Sequence, residues 1–200
     1  MYRRICALKG EQHKVTGGNV GIFSKLFGKS TQIGNDIADD IVQASFLGGH
    51  TLVHNWVGDK SAGALATALA TNECLYFFLH YINRLAFSAG GQAAQRKIHD
   101  PITCQAFAKL AAQTPSSISD AYSMLQEGAN AAELSYGKCR VGVAPKDNDS
   151  LAGTLFWEAS KRICAAVGNG ESIANIVGAG EILATTLSTL KLEKRIPVLV

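Results

Sequence analysis

Apolar residues recur at helical spacing along most of this chain, and no stretch alternates in the manner of a strand. From Thr31, "TQIGNDIADDIVQASFLGG" places Ile33, Ile37, Ile41 and Ala44 on one stripe with acidic residues on the other face. Gly48-Gly49 reads as the C-terminal stop of that helix. After a short segment at 50–57 and the break "GDKSAG", the longest helix is expected over 61–87, ending at "SAGG". A second periodic region follows and should break at Asp100-Pro101, with Asp100 capping a new helix and Pro101 at its first position. Thr114-Pro115 repeats that grammar. "GKCRVGVAPKDND" is the clearest loop, with a brief extended piece expected at 139–143. Asp149 or Ser150 should start a helix through "LFWEASKRICAAVG". A last stripe runs through Ile173, Ile176, Val177, Gly180, Leu183, Leu187 and Leu190, and Pro197 should stop it.

This pattern predicts an all-α, single-domain bundle of about six or seven helices with short connections, covering residues 31–196. Neither an internal repeat nor a charged linker divides it. Residues 1–30 are expected to form a flexible leader. It carries a short basic amphipathic segment, where Ile22, Phe23, Leu26 and Phe27 form a stripe opposite Lys25 and Lys29. That arrangement is consistent with natural translation starting at Val20, read from a GTG codon.

Composition sharpens the picture in two respects. Only 18% of residues are charged while 47% are apolar, so much helix surface is expected to be covered by other helices or by a partner. The net charge of +3 is too small for a nucleic-acid footprint. The five cysteines are scattered without a C-x-x-C pair, which argues for reduced, buried thiols and a cytoplasmic protein. "CLYFFLHYINRLAF" is interrupted by His80, Asn83 and Arg84 and does not read as a membrane span.

Several motifs invite chemistry and fail on context. "FGKST" has the end of a phosphate-binding loop, but the first glycine position is Phe23 and no strand precedes it. Gly178 and Gly180 match G-x-G, but the third position is Leu183 and the apolar stripe there is complete, so a helix with close packing at the glycines is expected. G-x-S-x-G and Glu-x-x-His are absent, and no Cys–His pair follows from local spacing. No catalytic residue is identified.

Two features remain. On the helix 61–87, Asn72, Glu73, His80, Asn83 and Arg84 share a sector of roughly 120° at about 100° per residue. Because buried charges are rare, that sector is expected to face water; the alternative turns it inward, with Glu73 paired to Arg84 or a histidine. In "GGHTLVHNW", His50 and His54 stand one turn apart if helical, the spacing that presents two imidazoles to one metal. His80 and Glu73 are the candidate further ligands, with His99 or Asp100 behind them, for a divalent transition metal such as zinc or iron. The leading expectation is a binding protein that recognises a protein partner or another copy of itself. A metal-binding protein is the first alternative. The second is a peripheral membrane factor led by residues 20–29, where two lysines would each add about 1 kcal/mol at an anionic surface.

Overall fold

The computed structural model describes residues 23–57, 63–139, 152–168, 170 and 172–200, with the side chains of the first helix described over 34–55. Helices α1 (Phe23–Val57), α2 (Gly63–Ala111), α3 (Ile118–Tyr136), α4 (Leu155–Ala166) and α5 (Ile173–Leu190) are followed by the single turn α6 (Leu192–Arg195) and a closing 3₁₀ turn, Pro197–Leu199. Among the described residues there is no strand, and the fold is an all-α bundle. The expected leader and the loop through 140–143 lie largely outside the described residues. The helix that begins at Phe23 runs without interruption into the bundle.

The first arm of α2 is the centre of the molecule. All seven residues from Cys74 to His80 are buried, so this helix is enclosed on every side rather than along one stripe. α1, α2, α4 and α5 contact one another in a closed ring, α1 against α2, α2 against α4, α4 against α5 and α5 against α1. α3 packs on the outside of α2. α1 runs antiparallel to α5, since Asp40 bonds Arg195 while Gly48 faces Thr186. The sequence Ile173–Leu199 is apolar and long enough to cross a membrane by length and composition. Here it contains the left-handed Lys191 (φ 50°), and α5 packs on α1 and α4.

Among the described residues five long helices, one of them reversing at Gly90-Gly91, and the single turn α6 stand where six or seven helices were expected, and two sequence stops do not stop the chain. α1 passes through Gly48-Gly49. The glycines are there for proximity: a Cβ on Gly49 would sit 2.7 Å from the Thr71 backbone nitrogen and 2.9 Å from its Cα, so α1 and α2 touch backbone to backbone. α2 also continues through Pro101. The missing N–H costs one bond to the Lys97 carbonyl, but Lys97 and Pro101 are both exposed, and water can serve that carbonyl.

The expected break at "SAGG" is present as a sharp reversal. Gly91 adopts φ 63°, ψ −157°, a conformation open almost only to glycine. The second arm of α2 folds back, so that Gln95 donates to Asn83 at 2.5 Å. Arg84 of the first arm reaches Tyr136 at the end of α3, whereas Phe107 of the second arm packs edge-on against Tyr122 near its start.

Helix starts are set by hydroxyl caps, which lie later than expected for α3 and α4. Ser117, Thr154 and Ser172 each accept, at 3.2 Å, from the backbone nitrogen three residues on, opening α3, α4 and α5. Thr114-Pro115 therefore belongs to the connection. Ile37, Ile41, Ala44, Ile176, Leu183, Leu187 and Leu190 are buried as their stripes predicted. Cys74, Cys139 and Cys164 are buried, as expected of small apolar side chains.

The α1–α2 contact gives a paired prediction. Gly49→Ala should lower the unfolding free energy by about 2 kcal/mol, because the methyl group meets backbone that cannot swing aside. Gly34→Ala, in the same helix with nothing within 4 Å, should raise it by about 0.5–1 kcal/mol. Urea unfolding of both variants measures the difference, and equal stabilities would mean that the helices do not meet closely at Gly49.

Candidate functional site

The polar sector of α2 faces inward, not towards water. His80 is only 4% exposed. The Glu73 and Arg84 residues are partly buried. The expectation of a solvent-facing sector is therefore corrected: each of these groups meets a partner that arrives from the α3 end or from α4, far away in sequence. Two networks result.

In the first, Arg162 of α4 grips Glu73 with both arms, Nε to Oε2 and Nη2 to Oε1, each at 2.8 Å. Its guanidinium also stands 5.9 Å from the centroid of the buried Tyr136 ring. Burial pushes the Glu73 carboxyl above the usual carboxylate range, and the opposing hydrogen bond and charge of Arg162 only partly offset this. The Tyr136 phenol is pushed well up by burial and then by the charge of Glu73.

The second network closes on α3. Arg84 Nε donates to His80 Nε2 at 2.7 Å, which leaves Nδ1 as the protonated nitrogen, and this donates to Glu133 Oε2 at 2.6 Å. The Arg84 Nη2 donates to the carbonyls of Tyr136 (2.6 Å) and Cys139 (2.9 Å). These carbonyls stand at the C-terminus of α3, where intrahelical donors run out and the helix dipole favours a cation. Glu133 and the carbonyl of Tyr136 both belong to α3, so α2 holds this helix end by its side chain and its backbone at once. Burial raises the Glu133 carboxyl, but the hydrogen bond from His80 and the positive charge nearby, Arg84 included, outweigh it and leave the group below its ordinary range.

The four residues nominated for a metal are not brought together. Glu73 is engaged by Arg162, and both ring nitrogens of His80 are taken. His99 is buried in the second arm of α2, beside Asp100 at 3.2 Å and Thr103 at 3.1 Å. Among the described residues no three His, Cys, Asp or Glu side chains converge. His50 and His54 do form a pair. The segment at 50–57 is helical, both residues are exposed, and their rings lie nearly parallel with centroids 6.1 Å apart.

Sequence reasoning missed Arg162 and Glu133. Their only signal is that each stands on a predicted helix; nothing local says which buried charge it will meet. Burial raises the thiols of Cys74 and Cys139, which disfavours their reactive thiolate forms.

A shallow apolar groove opens between α4 and α5. It has a volume of ≈ 190 Å³ and is lined mainly by Phe156, Trp157, Ile176, Val177 and Ala184, with Glu181 at its edge. Ile173 and Val177, the first turn of the C-terminal stripe, are 72% and 37% exposed beside it.

Two predictions test the networks. Arg162→Met leaves Glu73 buried without its cation and should cost about 3 kcal/mol, whereas Glu73→Met/Arg162→Met should return to within about 1 kcal/mol of the parent. The folded-state affinity of Glu73 for a proton is already raised, and losing Arg162 raises it further. The single variant should therefore regain stability as pH falls from 7 towards the carboxylate range; no regain would mean that Glu73 is solvated there.

For Glu133 the sign is opposite. Its folded-state proton affinity is lowered, so its contribution is fully present above the ordinary glutamate range, near ~4.3, and is lost as pH falls from there through the lower range the folded state sets. Glu133→Gln should be less stable at pH 7 and should show a flatter dependence on pH between 6 and 3 in urea titrations. An unchanged profile would remove Glu133 from the linkage. No protein-family model matches this chain, and no curated protein or solved structure matches it either.

Proposed function

We infer that this protein works by binding another protein, through the α4–α5 groove. The observation that carries this reading is the groove itself: an apolar cleft between two helices, sized for one or two large side chains and flanked by exposed Ile173 and Val177. The matching partner segment presents a bulky apolar side chain beside a basic one, which would meet Glu181 at the edge. The buried charges support binding rather than turnover, since Glu73, Arg162, His80, Glu133 and Arg84 use their hydrogen-bonding capacity on one another. A cytoplasmic location remains part of this reading, as an expectation from composition.

A photo-crosslinking residue at position 177 tests it. One partner, or a second copy of the chain, should be trapped from position 177 in cells. It should not be trapped from exposed Thr185, and trapping should disappear when Ala184→Trp plugs the groove. Equal trapping from both positions, or trapping that survives the plug, would overturn the assignment.

A further inference from the structure

The outward face of α1 carries a feature that the groove does not use. Gln43, Leu47, His50 and His54 follow one another at intervals of four, three and four, so they form one exposed stripe. Leu47 is 64% exposed. With Thr51 and Asn55 beside them, these residues make a band without a carboxylate, a lysine or an arginine. Asp39 and Asp40, farther towards the N-terminus, pair with Lys109 and Arg195 of their own chain.

Within this band the two imidazoles stand one helical turn apart on an exposed face, the spacing from which two side chains can reach one ion. With metal–nitrogen bonds of about 2.0–2.1 Å, two imidazoles on one tetrahedral ion place their ring centroids roughly 5 Å apart. The His50 and His54 rings stand 6.1 Å apart. Chelation requires the two exposed side chains to turn out of this parallel arrangement and approach each other, which nothing packed against them among the described residues opposes. Among the described residues, no third donor completes a group around them.

We propose that His50 and His54 bind a divalent transition ion of the zinc class, and that the same pair from a second copy of this chain completes a tetrahedral four-imidazole site. Two arguments select the second copy. A tetrahedral ion needs four ligands and each chain supplies two, so a two-fold axis through the ion satisfies both subunits with one patch. The band around the histidines has no charge to repel its own image, and the two Leu47 side chains, one turn from the ion, are covered when the helices cross. This inference does not rest on the α4–α5 groove, which lies on other helices.

Untagged protein, stripped with a chelator and titrated with zinc ion, provides the test. Calorimetry should give one zinc per two chains, and sedimentation velocity should show the mass double relative to the chelator-treated sample. Cobalt ion in place of zinc should give the strong visible absorption of a tetrahedral site. His50→Ala and His54→Ala should each abolish the doubling and reduce zinc affinity at least tenfold, with unfolding curves unchanged because both rings are exposed. One zinc per chain without a change of mass would overturn the bridging. Zinc uptake equal to that of the doubly substituted chain would overturn the site.

Discussion

The structure depends on charges that cannot be left alone. α2 carries His80 into the interior of the bundle and leaves Glu73 and Arg84 partly buried, where an unpaired charge would cost several kcal/mol. Each therefore fixes the place of another element. Arg162 ties α4 to Glu73, while Glu133 and the carbonyl of Tyr136 tie α3 to His80 and Arg84. Apolar burial drives the helices together, but it is tolerant of small rotations and shifts along the axis. A bidentate guanidinium–carboxylate pair is not, and neither is a guanidinium seated on two helix-end carbonyls. The polar interior thus sets the register of a bundle whose stability comes largely from its apolar core.

Small residues supply the second constraint. Gly49 brings α1 onto the backbone of α2, and Gly180 lets α5 come close to Ser160 of α4. At Gly91 the conformation itself is what matters, because the reversal of α2 passes through a region closed to side chains. The same residue type marks a crossing in one place and a turn in another. Which role it plays depends on whether a neighbouring helix arrives at that point.

That distinction explains how far the sequence could be read. Periodicity was sufficient for the all-α class, for the extent of α5 and for the break at Gly90-Gly91, since each depends on residues close together in the chain. It misplaced the stops at Gly48-Gly49 and Pro101, where packing and an exposed helix face override local preference. The candidate site was half legible. His50 and His54 were visible as a pair because one helical turn joins them. The inward direction of Glu73, His80 and Arg84 was hidden because their partners on α3 and α4 lie 52 to 89 residues away, and spacing carries no information about them. Arg162 sits in an ordinary-looking amphipathic helix, and its role follows only from what α2 presents to it.

The reversal of α2 also has a kinetic meaning. It lets one continuous segment act as the hub to which the later helices attach, so those attachments close long loops: 52 residues between Arg84 and Tyr136, and 89 between Glu73 and Arg162. Loop-closure entropy grows only with the logarithm of length, so the longer closure costs about 0.5 kcal/mol more than the shorter. Distance along the chain is therefore a weak barrier to docking α4. The folding rate should depend instead on how soon α1 and the two arms of α2 come together, since they form the surface on which the rest of the chain assembles.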